Sequence, residues 1–543
     1  MSRYYLESAD RAAAGILESR LAKSREDKNR IAGQAWQQMQ KKQEPPADAG
    51  AAIQNPPAGE VADQSAQSEQ HNETDGKQPK DEKTEVQLLS LRDALEIATR
   101  HNRDYQTRQE DLILSALSLT GVRRNFGFIL SGGLDIDGDW EDPLSRRESR
   151  SETLSLGINR ILYTGANLSV TGSSTQDHDY SAFAAMPNSA SSSLTISLSQ
   201  PLLKGAGHKL SHESLTQAER SIIYDIREFE QFREDFTIRI LQAFYDLVLQ
   251  KQVIANQQNN LAQFEFLLKR TEALFSVGRA TGVDVLRARR EELQSKNDLL
   301  DRREAFETAL YRFKIQLGLP VNAAVEIRPE HPQSVAIDID LKPAIETALL
   351  NRVDYTTSKE VFEDRQRAYD IARNGLLPDL DLDASYSLSS TATPGWPDQK
   401  FENRNFGVGL SLELPLDRIR ERNNLKSARI SLDRARRSME LTHDNVIIEV
   451  RSSLRALRQQ KNTLDIQKEI IASEKKRLKI TKIRFQNGEL KNRDVVEAQR
   501  ALLNAENSYI AALVAFENRR IRLLRDLGIL IIEPDGTWKE FDK

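Results

Sequence analysis

The sequence predicts a mainly α-helical protein carrying a β-stranded portion, built as two copies of one helix–strand–long-helix unit. Three observations predict it. Two stretches of 70 and 72 residues, His208 to Val277 and Leu416 to Asn487, contain neither glycine nor proline. Each stretch follows runs in which apolar and polar residues alternate. The second half of the chain repeats the first.

Taken in order, residues 1–40 read as a charged amphipathic helix with Ile16, Leu17, Leu21, Ile31 and Trp36 on its apolar side. Residues 41–87 hold three large aliphatics (Ile53, Val61, Val86), no aromatic residue and five prolines. Too little apolar surface is available there to offset the entropy of ordering, so this stretch is expected to be a disordered linker. The first repeat spans 88–320. It opens on Ser90-Leu-Arg-Asp93, an N-cap with an acidic residue three positions on, followed by apolar periodicity. Its β-segment covers about 127–200. Leu134, Ile136 and Trp140 suggest one strand. Leu154, Leu156 and Ile158, a turn near Gly165, then Leu168 and Val170 suggest a hairpin, and Leu194, Ile196 and Leu198 alternate with Ser and Thr. The segment is long enough for more than one hairpin, which leaves its strand count open.

Long helices are expected over 208–318. Ile222, Ile226, Phe229, Phe232, Phe236, Ile240, Phe244 and Leu247 recur at steps of three and four, the stripe of a helix packed along a neighbour. A 70-residue helix would be about 105 Å long, which suits a bundle or tube better than a compact globule. Residues 321–340 link the halves. The second repeat spans 341–530, with a β-segment at about 379–414 and long helices over 416–528. In it Leu380, Leu382, Ala384, Tyr386 and Leu388 alternate with Asp and Ser, as do Phe406, Val408, Leu410 and Leu412 with Gly and Ser. Residues 531–543 form a tail. Pro201 and Pro415 mark the two strand-to-helix junctions, since proline ends a ladder and opens a helix.

The duplication is read by offset. At i + 250, Leu91, Ala94, Glu96, Ala98, Asp104 and Tyr105 fall on Leu341, Ala344, Glu346, Ala348, Asp354 and Tyr355. At i + 210, residues 275–319 align with 485–529 without a gap, and Phe275, Gly278, Asp284, Val285, Ala288, Arg290, Phe306 and Gly318 all find identical partners. The fall from 250 to 210 puts about 40 extra residues in the first half, mostly in its β-segment.

Composition narrows the function. The chain of 543 residues has no cysteine, which excludes disulfides and thiolate chemistry within it. A net charge of −4 gives no pull toward nucleic acid. No apolar run reaches the roughly 18 residues a transmembrane helix needs, although membrane β-strands leave only a faint compositional trace. His208 and His212 are spaced for one helix face, but Lys209 stands where a zinc-protease helix carries glutamate, so a solvated helix start is the expected reading. Asp177-His178-Asp179 reads as a chance polar cluster, and Gly205-Ala-Gly207 falls short of a phosphate-binding loop. No nucleophile–base constellation stands out. The expectation is a protein that is not an enzyme, with no catalytic, cofactor or metal residues. The Gly turns offer better candidates. Asp284 and Asp494 begin helices after Gly278 and Gly488, where aspartate suits helix capping, and Glu497 lies one turn beyond Asp494.

These residues resemble the TolC-type outer-membrane efflux proteins. The matching pieces are LSLRDALEIATRHNRDY, LSQPLLKGAG, its second copy LELPL, FQNGELKNRDVVEAQRALLNAENSYIAAL and LGILIIEPDGTW, and the resemblance covers about 89–540. It implies a homotrimer in which each protomer lends strands to one outer-membrane β-barrel in contact with lipid, and helices to a periplasmic α-barrel tunnel. It implies a passive export duct, docked through a periplasmic adaptor to an inner-membrane pump or transporter. Asp494 and Glu497, with Asp284 beside them, match the acidic ring at the tunnel entrance. Val277, Gly278, Arg279, Ala280, Thr281, Asn487, Gly488, Glu489 and Leu490 match the turns where an adaptor docks. Leu490 departs from members with a basic residue there, so gate-closing contacts do not carry over. The start MSRYYLESADR is not a signal peptide. Because such proteins are exported, a reading frame extended upstream of Met1 and encoding an export signal is expected. The alternative reading is a soluble coiled-coil scaffold whose alternating segments are ordinary sheets.

Overall fold

The computed structural model describes residues 13–23, 26, 30, 87–141, 147–179, 189–330, 339–392 and 401–538. Residues 13–23 are helical, with Ala13 and Leu17 buried. Ile31, Trp36 and the expected linker up to residue 86 lie outside the described residues. The remaining elements are, in chain order, β1 (Gln87–Leu89), α1 (Leu91–His101), α2 (Arg103–Arg124), β2 (Ile129–Glu141), β3 (Arg147–Ile161), β4 (Asn167–Asp179), β5 (Ser189–Pro201), α3 (His208–Ser211), α4 (Glu213–Ser276), α5 (Gly282–Leu317), β6 (Val325–Ile327), α6 (Leu341–Asn351), α7 (Val353–Asn374), β7 (Asp379–Ala392), β8 (Asn403–Glu413), α8 (Ile419–Gln486) and α9 (Asn492–Asp526). They form two compact units. The first draws on 104–234 and 348–451, the second on 87–103, 235–347 and 452–538, and α4 and α8 each run from one unit into the other.

The first unit holds a six-stranded antiparallel sheet in the order β2-β3-β4-β5-β7-β8. The β-segment of the first half thus supplies four strands and that of the second half two. The halves join where β5 pairs with β7, placing Leu194 opposite Leu388 and Ile196 opposite Tyr386. Register sorts the side chains. One row runs Leu130, Ile158, Val170, Ile196, Tyr386 and Phe406, the next Gly132, Leu156, Gly172, Leu194 and Leu388. The intervening rows carry Ser131, Gly157, Thr171, Thr195, Ser387 and Asn405 on the opposite face. A period of two over six strands therefore gives one apolar face and one polar face. Among the described residues nothing covers the apolar face: Leu130, Leu156, Phe406, Val408, Leu410 and Leu412 are all exposed. A soluble protein rarely leaves a contiguous apolar patch of this extent open.

Below the sheet the helices pack through the predicted stripe. Ile222, Ile226 and Phe229 of α4 are buried, and Tyr105 of α2 meets Phe229 edge-on at 5.8 Å. Polar ties join α4 to α7. Tyr224 donates to Asp364 at 2.8 Å, and Arg227 makes a bidentate pair with Glu360 at 2.8 and 2.9 Å. Burial pushes the Tyr224 phenol up to about 12. Arg233, 1% exposed, is held by both oxygens of Glu230 at 2.9 Å.

In the second unit, Ser90 and Asp93 form the predicted capping box at the start of α1. β1 pairs with β6 in parallel, and the C-terminal segment Leu527 and Ile529–Ile532 is buried. Gly318 ends α5 in the left-handed region, φ +77°, directly against the backbone of His101. Among the described residues no helix is long and apolar enough to cross a membrane.

Two helix starts differ from expectation. The stretch from His208 breaks at His212, so the long helix begins at Glu213. There the His212 ring stacks on Phe126 at 4.6 Å and approaches His208 at 4.4 Å, while His208 stacks on Tyr163 at 3.9 Å. The second long helix begins at Ile419 rather than Leu416: the Arg418 carbonyl accepts the first helical bond, from Arg422 at 3.0 Å, and the Asp417 carboxylate just outside the helix accepts the Ile419 N–H at 2.9 Å.

Candidate channel entrance and docking turns

Both candidate turns are built the same way, 210 residues apart. α4 ends at Ser276, and Gly278 turns the chain at φ +73° while its N–H donates to Phe275 and that of Arg279 to Leu274. α8 ends at Gln486, Gly488 turns at φ +80°, and the N–H groups of Gly488 and Glu489 donate to Phe485 and Arg484. A left-handed residue followed by these reverse bonds is the glycine helix stop, which only glycine adopts without strain. Val277, Arg279, Asn487 and Glu489 are exposed, and Ala280 and Leu490 half-buried.

The aspartates stand one turn deeper than simple N-caps. Thr281 is the N-cap of α5 and Asp284 its third residue; the Asp284 carboxylate accepts the Thr281 N–H at 3.2 Å and hydroxyl at 2.6 Å, and the Thr281 hydroxyl accepts the Asp284 N–H at 3.3 Å. At α9 the N-cap is Lys491, whose N–H donates to Asp494 at 2.9 Å. Lysine has no side-chain acceptor, so the second copy keeps only the aspartate's half of the box. The Thr281 bonds hold the Asp284 carboxyl below the usual carboxylate range, helped by the charges of Arg287 and Lys491. That stabilisation is complete above the unfolded value near 4 and is lost as pH falls through the lower folded value. The Thr281 amide shift should therefore titrate below about pH 4, and Asp284→Asn should abolish the titration. A midpoint at the ordinary aspartate value would count against this. Thr281→Ala should cost about 1 kcal/mol of local helix stability, read by amide exchange over the first turn.

Glu497, exposed on α9, pairs with Arg477 of α8 at 3.2 Å. Behind the turns, Phe264 and Leu267 of α4 bury Val495 of α9, with Phe485 and Val496 packed against them. Asn492 donates to Thr271 at 3.3 Å, and buried Glu291 of α5 is held by Arg500 of α9 and by Arg290 at 2.8 Å. The sequence reading missed these ties. Apart from the neighbours Arg290 and Glu291, the polar partners lie 20 to 221 residues apart, and only the recurrence of Arg290 as Arg500 hinted at one of them.

The strand-to-helix junctions are also placed. Pro201 is the last residue of β5, and beyond it Leu202 donates to Leu380 at 2.8 Å and Lys204 pairs with Asp379 at 2.8 Å. The Pro415 carbonyl accepts from Arg418 at 3.2 Å, two residues after β8 ends. No group of three metal-binding side chains occurs among the described residues.

An antiparallel sheet with one lipid-like face, feeding paired long helices that end in glycine turns, defines the protomer of an outer-membrane channel. The family model described as outer membrane efflux protein matches residues 165–318 and 344–528, and the chain belongs to that family. It is 23% identical over 357 residues to outer membrane protein TolC of Escherichia coli (strain K12), a match covering 63% of this chain and 70% of that one. Alkaline protease secretion protein AprF of Pseudomonas aeruginosa is 22% identical over 382 residues, covering 65% and 71%. Among solved structures, the outer-membrane channel OprN superposes with a TM-score of 0.61 at 17% identity, over 81% of this chain and 89% of that one.

Proposed function

We propose that three copies of this chain form a passive export duct of the outer membrane and periplasm, coupled through a periplasmic adaptor to an inner-membrane pump or transporter. One observation carries the reading: a sheet with an exposed apolar face whose edge strands, β2 and β8, do not pair with each other. Unpaired strand edges are not tolerated in lipid, so the sheet needs further strands, and copies of the same sheet supply them. The duplication supports the same assembly. Within the chain, α4 of the first repeat packs on α9 of the second. The equivalent pairing, α8 with α5, is open to a neighbouring copy, and Leu286, Leu293 and Leu300 stand exposed along α5 at seven-residue steps. The turns 277–281 and 487–490 are the surface offered to the adaptor. The name of AprF points to protein secretion, which puts polypeptides among the cargo classes.

Outer-membrane fractionation tests the reading: detergent-resistant trimers in the sarkosyl-insoluble fraction are expected, and a freely soluble monomer would exclude it. The entrance makes a second test. Threefold symmetry would gather Asp494 and Glu497 into a ring of six carboxylates, which favours cations. Asp494→Asn with Glu497→Gln should lower cation preference and weaken block by multivalent cations in single-channel recordings. The helix start should survive, since Asn retains an acceptor for the Lys491 N–H. Unchanged selectivity, with Asp494→Ala lowering stability only, would reduce Asp494 to a capping residue.

A further inference from the structure

The two halves differ by one insertion, and its place in the sheet is now defined. β2 and β7 both follow a helix and begin 250 residues apart, at Ile129 and Asp379. The closing prolines, Pro201 and Pro415, are 214 apart. β2 and β5 of the first half therefore answer β7 and β8 of the second, and β3 and β4 are the addition. They are not appended outside the sheet. β3 pairs with β2 through all thirteen residues from Arg147 to Asn159, and β4 pairs with β5 from Asn167 to Asp177.

Two features say what the edges meet. Five antiparallel steps separate β2 from β8, so the two edges run in opposite directions, and β8 of one copy can continue into β2 of the next without breaking the alternation. Three of the devices by which soluble sheets prevent such pairing, proline, lysine and the β-bulge, are missing from both edges. β2 and β8 contain no proline and no lysine, their ladders have no bulge, and every residue of β8 is exposed.

The face opposite the apolar one gives the character of the enclosed space. Its middle is a hydroxyl lattice, with Ser169 bonded to Ser197 at 2.6 Å, Ser173 to Ser193 at 2.9 Å and Thr153 to Thr175 at 3.0 Å. Asp135, Asp137 and Asp139 stand on this face at the far end of β2, and Asp381 and Asp383 at the helix end of β7. Among the described strand residues, register puts one basic residue on this face, Arg147 opposite Glu141 at the far end; Arg150, Arg160 and Arg404 fall on the apolar face. Lys204, beyond β5, neutralises Asp379 alone.

Resting on the trimer reading above, we propose that three copies close an 18-stranded barrel whose wide, hydroxyl-lined and anionic bore admits bulky cargo and disfavours polyanions. At a strand spacing of about 4.8 Å and a tilt of about 40°, eighteen strands give a backbone diameter of about 36 Å, against about 24 Å for the twelve that would remain without β3 and β4. After side chains on both walls, the bores are about 26 Å and about 14 Å. The narrower one fits small solutes, an extended chain or a single helix, which with its side chains is about 10–12 Å across; the wider one also passes paired helices or partly folded polypeptide.

The test uses the full chain purified into lipid nanodiscs. A cryo-electron-microscopy map should show eighteen strands around a threefold axis. A trimer with twelve, the insertion lying outside the wall, would overturn the inference and leave the duct reading intact; absence of any trimeric barrel would overturn the duct reading itself. Because the chain has no cysteine, Ser197→Cys places a single thiol on the polar face. It should react with a maleimide on a rigid carrier about 20 Å across, which the narrower bore excludes. It should also react about threefold or more faster with a cationic methanethiosulfonate than with an anionic one, a bias that Asp381→Asn with Asp383→Asn reduces. Exclusion of the carrier would refute the wide bore, and equal rates for the two reagents would refute its anionic character.

Discussion

Leu410→Arg is expected to cost about 2–4 kcal/mol of barrel stability if the residue lies near mid-membrane, whereas Ser411→Arg should cost about 1 kcal/mol or less. The two positions are adjacent on β8 and differ only in the face they occupy. Leu410 is 65% exposed and pairs with Leu382 on the apolar face. A guanidinium there must be buried in hydrocarbon or drag water to it, and no carboxylate shares its row on β7 or β8. Ser411 pairs with Asp381 and donates to Asp383 at 3.3 Å, so an arginine in its place meets two carboxylates in a wet lumen. Denaturant unfolding from lipid vesicles, with loss of the heat-modifiable band as readout, measures the difference. Equal costs at the two positions would mean that both faces of the sheet are buried in protein, as in a soluble sandwich.

The contrast between those neighbours was already legible in the sequence, because alternation over eight or more residues admits only one pleat. Phe406, Val408, Leu410 and Leu412 announce β8 directly. β2 and β3 are fainter. Gly132-Gly133 interrupts the apolar positions of β2, and β3 begins on Arg147-Glu148-Ser149-Arg150, whose pattern looks like a loop until its register against Glu141 to Gly138 is known. The extra 40 or so residues showed that something had been added to the first half, but a length difference does not distinguish an added hairpin in the wall from a loop outside it. The glycine turns were equally plain, since a glycine free to enter the left-handed region is a common way for a helix to stop, and Gly278 and Gly488 each end a run of about 70 residues without glycine or proline. The roles of the acidic residues beside them were not. Asp494 lies within three residues of its partner and could be read locally, but Glu497 meets Arg477 from the preceding helix, and Glu291 meets Arg500 from the other repeat. Contacts of that kind depend on how helices are rotated against one another, which periodicity fixes to a face and not to an atom.

Gly318→Ala should be the most damaging single-atom-scale change in the second unit, at about 3–5 kcal/mol, where the same substitution at Gly278 should cost about 1–2 kcal/mol. Both glycines end a long helix with positive φ, +77° and +73°, so the backbone penalty for an L residue is common to the two. They differ in what the new methyl group would meet. A Cβ at Gly278 has nothing within 4 Å, whereas at Gly318 it would lie 2.0 Å from the carbonyl oxygen of His101 and 2.9 Å from the nitrogen of Asn102. The obstacle is backbone, so no side-chain rotation relieves it, and the end of α5 must move away from α1. That movement breaks the bond from the Asn102 side chain to the Gln316 carbonyl, 2.7 Å in length. It also disturbs a breakpoint between α1 and α2 that is fixed by Asn102 donating back to Ala98. The repeat relation sharpens the test, because Gly318 and Gly528 occupy the same place in the two halves, and both sit in the left-handed region. Recovery of heat-modifiable trimer from membranes expressing Gly318→Ala and Gly278→Ala, side by side, gives the readout. If the two variants assemble equally well, the close approach of α5 to His101 is not a determinant of the fold, and the glycine at 318 is needed for its left-handed turn alone.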